Sequence, residues 1–221
     1  MKNIQVRQLI IMLILCLAGG TIYILPFLRE VYYLPMREAF QYSNTQMGVV
    51  HGVYGAFSLI TYFPGGWLAD RLEARKLIAL ALAGSALGGF YLSILPDYYE
   101  VLLIHAYLGI CTSLVFWSAM IKATRTWAER ENQGRAFGIL ESGRGVTELA
   151  LSAALLTVFG LLGSASGDFA TIILILAVVN LILAALAWCF LENEETNSTK
   201  IVPSAFEFSQ LAHVIKLPCM W

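Results

Sequence analysis

Charged residues are scarce in this sequence of 221 residues, where Asp, Glu, Lys and Arg together make up only 13%. Soluble domains usually contain about a quarter charged residues, so the shortage points to lipid as a solvent of the folded chain. The net charge of −1 indicates no strongly basic surface, and we therefore predict no nucleic-acid partner. The cysteines Cys16, Cys111, Cys189 and Cys219 include no C-x-x-C pair, which supports neither a metal site nor a disulfide framework.

Catalytic signatures are also missing from the sequence. No G-x-x-x-x-G-K-[ST] string occurs, so ATP hydrolysis is not the predicted energy source. Neither H-E-x-x-H nor G-x-S-x-G occurs, and His51 and His105 lie on different predicted helices. We therefore predict that the chain is not an enzyme, has no catalytic residues, and needs neither a bound metal nor a cofactor.

Apolar residues are abundant, at 58% of the sequence, and they are concentrated in six long stretches. About 20 apolar residues are needed for a helix to cross the hydrocarbon core of a bilayer. Only helices and closed barrels satisfy the backbone hydrogen bonds there. We predict an all-α membrane protein with transmembrane helices at residues 9–28, 48–68, 77–95, 101–123, 137–162 and 169–191. The first stretch is too long for the apolar core of a signal peptide, so we expect it to remain uncleaved.

The distribution of Lys and Arg predicts the orientation, since cytoplasmic loops carry an excess of both. The loops "PDYYE" and "GSASG" contain neither residue. We therefore expect both termini to be cytoplasmic, in the inner (plasma) membrane. The predicted cytoplasmic segments contain Lys2, Arg7, Arg71, Arg75, Lys76, Arg125, Arg130, Arg135, Lys200 and Lys216.

The stretch "GGWLADRLEARK" lies between the second and third predicted helices. It resembles the loop signature of the major facilitator superfamily, usually written G-x-L-a-D-r-x-G-r-r-k. The matching positions are Gly66, Leu68, Ala69, Asp70, Arg71, Arg75 and Lys76, whereas Glu73 and Ala74 depart from the pattern. The resemblance implies a gating loop of Gly66, Asp70, Arg71, Arg75 and Lys76 that latches two six-helix halves together. Independently, Asp70 could face the positive end of a helix, and the basic residues could simply anchor the loop at the cytoplasmic surface.

A second stretch, "TRTWAERENQGRAFGILESGRG", is similar to the corresponding loop of organophosphate and glycerol-3-phosphate transporters of the same superfamily. Members of that superfamily usually have twelve helices in two halves. The resemblance therefore implies an N-terminal six-helix bundle at residues 1–192. Residues 193–221 would form the central cytoplasmic loop and lead into a seventh helix, and the partner of this bundle would be a missing C-terminal half.

Five residues are candidates for substrate binding. They are Arg29, Tyr54, Lys122, Arg144 and Glu148. Four are charged, and charge within a bilayer is costly and usually functional, whereas Tyr54 shares a helix face with His51 and could line the outer vestibule. The spacing of Glu141, Arg144 and Glu148 places them on one helix face, where the guanidinium suits a carboxylate or phosphate. The alternatives are a surface pair for Arg29, a lysine that reaches toward the cytoplasm for Lys122, and a structural ion network for Arg144.

We predict a secondary active transporter that moves a small polar solute by alternating access. The solute is expected to be an organic anion, and coupling to protons is one of the mechanisms considered. Transporter sites tend to lie near the bilayer midplane, and Glu148 could carry the proton. The alternative is a six-helix membrane module or sensor that dimerises and transports nothing.

Overall fold

The computed structural model describes residues 2–128, 130–163 and 166–191, and every regular element within them is helical. The elements are α1 (Lys2–Thr21), α2 (Leu28–Val31), α3 (Tyr33–Ala39), α4 (Asn44–Arg71), α5 (Ala74–Leu92), α6 (Tyr98–Ile110), a π-helical segment (Cys111–Trp117), α7 (Ser118–Trp127), a 3-10 turn (Arg130–Asn132), α8 (Gln133–Leu162) and α9 (Ser166–Phe190). The predicted central loop at residues 193–221 lies outside the described residues.

Four helical stretches of the described chain are long and apolar enough to cross a membrane. They are Ala74–Leu92, Tyr98–Trp127, Gln133–Leu162 and Gly167–Phe190. Val6–Thr21 is apolar but shorter, and α4 has the length at 28 residues without belonging to this set. The all-helical class is confirmed for the described residues, while the number of six spans stays a prediction.

The first predicted span ends earlier than expected. Helix α1 stops at Thr21, and residues 22–27 form turns before the short helices α2 and α3. Pro26 has no N–H to donate, and it disfavours the helical conformation of the residue before it. The apolar run therefore continues to Leu28 while the helix does not.

Helix α4 begins at a capping box that joins Ser43 and Gln46. The backbone N–H of Gln46 donates to Ser43 Oγ at 3.2 Å, and the backbone N–H of Ser43 donates to Gln46 Oε1 at 2.9 Å. These bonds satisfy donors that helix starts otherwise leave free. Pro64 lies inside the same helix and removes one of its backbone hydrogen bonds.

The helices pack in pairs, with α5 against α9, α4 against α6, and α1 against α8. A Cβ atom at Gly89 of α5 would lie 2.9 Å from the Cβ atom of Ala177 in α9. The absence of a side chain at Gly89 therefore permits tight packing of α5 against α9.

Candidate functional site

Arg144 of α8 is the centre of the candidate site. Its Nη1 atom donates to both carboxylate oxygens of Glu141, at 2.8 and 2.7 Å. Its Cζ atom lies 5.1 Å from the ring centre of Trp117 and 5.5 Å from that of Tyr23. The side chain is 17% exposed, and its Nε atom is buried without a hydrogen-bond partner among the described residues. One ion pair and two cation–π contacts therefore hold the guanidinium while part of its donor set remains available.

Two consecutive glycines of α1 make room for Arg144. A Cβ atom at Gly19 would lie 2.8 Å from Arg144 Cδ, and one at Gly20 would lie 2.6 Å from the Arg144 carbonyl oxygen. Real side chains do not tolerate such distances, so α1 and α8 can approach this closely only because both positions lack a side chain. The glycine pair brings Tyr23, one turn further along, to the guanidinium.

Tyr54 of α4 lies in a second aromatic group. Its ring centre is 5.3 Å from that of Phe27 and 6.0 Å from that of His51. The hydroxyl groups of Tyr54 and Thr112 are 3.1 Å apart, and Thr112 donates to the carbonyl of Leu108. Because Thr112 has a single proton to donate, Tyr54 is the donor in the first of these bonds. Tyr54 is therefore anchored to the start of the π-helical segment.

Arg29 lies beside the start of α4, where it contacts the backbone of Met47. Its Nε atom is 3.4 Å from Glu30 Oε1, and its Nη1 atom is 3.5 Å from the carbonyl oxygen of Met47. Both distances are long, and the side chain is 30% exposed. An exposed pair of this kind contributes at most about 1 kcal/mol, so Arg29 can exchange Glu30 for another anion at little cost.

Glu148 lies one helical turn beyond Arg144 and is exposed. In the described part of the chain it forms no hydrogen bond or ion pair. It stands close to the middle of α8, which runs from Gln133 to Leu162. The structure therefore brings an exposed carboxylate and an arginine onto the same face of a helix near its midpoint.

Lys122 lies apart from Arg144. Its ammonium group donates to the carbonyl oxygens of Ala69 at 3.0 Å and Leu72 at 3.1 Å. These carbonyls end α4, and a cation there offsets the negative end of the helix dipole. Lys122, a predicted solute-binding residue, therefore lies at the end of α4 beside the predicted gating loop.

The basic residues of the predicted gating loop have separate partners. Arg71 lies over the ring of Trp67 at 4.1 Å, and Arg75 lies over that of Trp188 at 4.9 Å. Lys76 Nζ donates to Glu73 Oε1 at 2.8 Å, and this bond lowers the pKa of the Glu73 carboxyl. Glu73, which departs from the family signature, therefore pairs with Lys76.

Gly66 and Asp70 are exposed at the end of α4. Asp70 pairs with none of the basic residues of its loop among the described residues. Within the part of the chain that the structure describes, a Cβ atom at Gly66 would have no neighbour within 4 Å. This end of α4 is consequently open to contact by another group.

Sequence reasoning missed the aromatic residues that surround the predicted charges. Tyr23, Phe27, Thr112 and Trp117 are not among the residues that the sequence predicts for the site. The glycine pair in α1 was the available signal, because adjacent glycines in an apolar helix indicate a close approach. The distance along the chain from Tyr23 to Arg144 hid the contact.

Comparison with known proteins places this geometry in a family. A family model described as the Major Facilitator Superfamily matches residues 9–221. Inner membrane protein YqcE of Escherichia coli (strain K12) is 29% identical over 224 residues, which cover 100% of this chain and 53% of that protein. Inner membrane protein YihN of the same organism is 30% identical over 215 residues, covering 94% of this chain and 50% of that protein. The chain thus spans about half the length of the curated relatives it matches.

The solved structures agree on the fold. A crystal structure of a bacterial homolog to the human lysosomal transporter Spinster, inward-facing and unoccupied, matches with a TM-score of 0.73. The match covers 97% of this chain and 50% of that one at 15% identity. The occupied inward-facing structure matches with a TM-score of 0.66 and 16% identity, over 88% of this chain and 45% of that one. The chain is an integral inner membrane protein with this fold, and it belongs to the Major Facilitator Superfamily, as the loop between α4 and α5 predicted.

Proposed function

We propose that the chain forms the N-terminal half of a secondary active transporter that moves a small organic anion by alternating access. The observation that carries this proposal is the charged face of α8 near its midpoint. Glu148 is exposed there, and Arg144 lies one turn away. A carboxylate at this depth is too costly to face hydrocarbon. The face therefore borders a water-filled path or a second helical bundle, as at transporter sites near the midplane.

The chemistry of Arg144 supports an anionic solute. Its planar guanidinium matches a carboxylate or phosphate, and one carboxylate, Glu141, already contacts it. Glu141 is 54% exposed, so a solute anion can replace it without opening a buried pair. Tyr23 and Trp117 add aromatic surface beside the charge.

The remaining candidate residues take separate roles in the proposal. Tyr54 and Arg29 contribute to the outer part of the solute path. Glu148 takes up and releases the coupled proton along this path. Lys122 stabilises the end of α4 beside the gating loop, because both of its backbone contacts lie there.

We further propose six spans with both termini cytoplasmic, a central loop at residues 193–221, and a C-terminal six-helix half as the partner. Support comes from the length of the relatives, of which this chain covers 53% and 50%. In this arrangement Asp70 contacts the second half and latches the gating loop.

Trp117 offers a direct test of the anion site, since its ring lies against Arg144. We would titrate the purified chain with glycerol 3-phosphate and record tryptophan fluorescence, using glycerol as the uncharged control. We expect a saturable change with glycerol 3-phosphate only. Arg144→Gln should lose at least about 10-fold in affinity, as expected for a charged hydrogen bond worth about 1.5–3 kcal/mol.

Two variants make this test specific. Arg144→Lys keeps the charge but lacks the planar fork, so its affinity should lie between those of wild type and Arg144→Gln. Trp117→Phe should abolish the fluorescence change while the other tryptophans remain. No response of the wild type to glycerol 3-phosphate, or an equal response of Arg144→Gln, would refute an anion site at Arg144.

The alternative function is a dimerising membrane module. It is supported by the exposure of α8, where Leu149 is 73% exposed and Val146 is 67% exposed. Light scattering of the purified chain distinguishes the two proposals. A stable dimer that ignores every anion tested would favour the module over the transporter.

A further inference from the structure

A groove of about 410 Å³ lies between α5 and α6, away from the residues assigned above. Its apolar part is lined by Leu87, Gly88, Leu103 and Tyr107, and its polar end by Tyr91 and Glu100. Leu87 and Leu103 are 66% and 71% exposed, so both walls are open to the surroundings of the bundle. Gly88 also lines the groove, and a Cβ atom there would lie 3.1 Å from Leu108 Cδ2.

The groove has a polar end at the loop between α5 and α6 and an apolar end further along the two helices. A membrane lipid has its headgroup and acyl chains in the same arrangement. Tyr91 and Glu100 lie beside the loop that joins α5 and α6, where the chain meets the membrane surface. Tyr107 lies seven residues further along its helix than Glu100, which corresponds to about 10 Å of depth. An amphiphile with its headgroup at the loop would therefore place an acyl chain along the apolar part.

The charge at the polar end is negative. The sequence contains no Lys or Arg from Leu77 to Ile121, and its acidic residues over that range are Asp97 and Glu100. Neither carboxylate pairs with a cation among the described residues. The groove thus ends in carboxylates that a cationic headgroup would complement.

Glu100 is held in place but still able to accept hydrogen bonds. Its Oε1 atom accepts from the Tyr91 hydroxyl at 2.9 Å, and its Oε2 atom accepts from the backbone N–H of Asp97 at 3.1 Å. A carboxylate offers about four acceptor positions, so each oxygen retains one. The two existing bonds orient these free positions without occupying them.

We propose that this groove binds a phosphatidylethanolamine molecule, with one acyl chain along Leu87 and Leu103 and the headgroup ammonium on Glu100. A primary ammonium group supplies three donors, as the lysine side chain does. A choline headgroup carries the positive charge without a donor, and a glycerol headgroup leaves the phosphate charge uncompensated. The order of affinity is therefore ethanolamine, then choline, then glycerol.

Native mass spectrometry of the full chain in detergent tests this order. Dioleoyl phosphatidylethanolamine, phosphatidylcholine and phosphatidylglycerol would be added at equal concentration. An exposed charge pair is worth up to about 1 kcal/mol, which corresponds to a preference of about 5-fold for the ethanolamine lipid over the glycerol lipid. Glu100→Gln should remove this preference. Leu87→Trp fills the groove and should reduce binding of all three lipids.

Matched variants control for each change. Gln can replace Glu in a capping box, so Glu100→Gln keeps the start of α6 intact. Glu38→Gln removes an exposed carboxylate on α3, and Leu80→Trp enlarges a side chain of α5 that is 64% exposed outside the groove. Both controls should bind lipids as the wild type does. Circular dichroism confirms that each variant is folded.

Three results would overturn the proposal. The first is equal retention of the three lipids by the wild type. The second is an unchanged lipid preference in folded Glu100→Gln. The third is a Leu87→Trp variant that dissociates a dimer and leaves lipid binding intact, which would assign the groove to a second copy of the chain.

Discussion

Helices α5 and α8 differ in a way that separates apolarity from burial. The most apolar 18-residue window has a mean hydropathy of 1.8 in α8 and 1.2 in α5. Yet only 11% of the α8 window is buried within the bundle, against 61% of the α5 window. Lipid and protein core are both apolar, so hydropathy cannot indicate which of them a helix contacts. Small residues and charges are better indicators of what a helix contacts. The glycines of α5 allow close packing against neighbouring helices, and the charged residues of α8 lie on its exposed face.

The largest expected effect comes from filling the close contact of α5. Gly89→Val would place methyl groups against Ala177, which a Cβ atom alone would approach to 2.9 Å. Overpacking of this kind costs about 1–3 kcal/mol. We expect the thermal unfolding temperature of the purified chain to fall accordingly.

Gly160→Val in α8 is the matched control, because a Cβ atom there would have no neighbour within 4 Å in the described ranges. Its stability should remain within about 0.5 kcal/mol of the wild type. Equal destabilisation by the two substitutions would contradict the contrast between the helices.

The next effect concerns the charges of α8. Glu141→Gln removes the carboxylate that contacts Arg144 Nη1. Since Glu141 is half-exposed, the lost pair is worth up to about 1 kcal/mol, and its removal should raise the affinity for glycerol 3-phosphate by up to about 5-fold. Fluorescence titration measures the change, with Glu131→Gln as a control at an exposed carboxylate outside α8. A weaker affinity would mean that Glu141 assists binding instead of competing with it.

The smallest effect is expected in the loop before α5. The hydrogen bond from Lys76 lowers the pKa of Glu73, so its contribution to stability is fully present above the ordinary pKa of about 4.3. That contribution is lost as the pH falls through the lower folded-state value. We expect Glu73→Gln to unfold at a slightly lower temperature than the wild type at pH 7, with the difference shrinking as the pH falls below the ordinary pKa of the carboxyl group.

Lys76→Gln provides the check on this interpretation. Once the lysine is removed, Glu73→Gln should have little further effect, because the two residues act as one pair. A difference that persists in the Lys76→Gln background would assign the stabilisation to another neighbour of Glu73.

Sequence reasoning was most successful where local patterns carry the information. The loop "GGWLADRLEARK" predicted the family, and the apolar runs predicted helices within the described residues. Sequence reasoning was less successful where one helix ends or changes type. The end of α1 at Thr21 and the π-helical segment Cys111–Trp117 lie inside continuous apolar runs. The side chains remain equally apolar at these points, so hydropathy gives no sign that the helix ends or changes type.

The candidate site likewise contains contacts that the sequence predicts and contacts that it does not. Glu141 and Arg144 pair over three residues of one helix, a spacing that the sequence shows directly. The position of Lys122 was not predictable in this way, because its partners at Ala69 and Leu72 are on another helix. A lysine near a helix end can extend toward water or toward any carbonyl within its reach.

The sequence by itself determined that this protein lies in a membrane as a helical member of its family. Apolar length and the placement of charge are local properties, and the bilayer acts on each segment separately. Only the tertiary structure decided that Arg144 lies between Tyr23 and Trp117. That arrangement depends on how closely α1 approaches α8, which is set by side-chain volume at Gly19 and Gly20 on the facing surface. The contacts of Gly19, Gly20 and Tyr23 with Arg144 join residues more than a hundred positions apart, and no local pattern encodes such pairings.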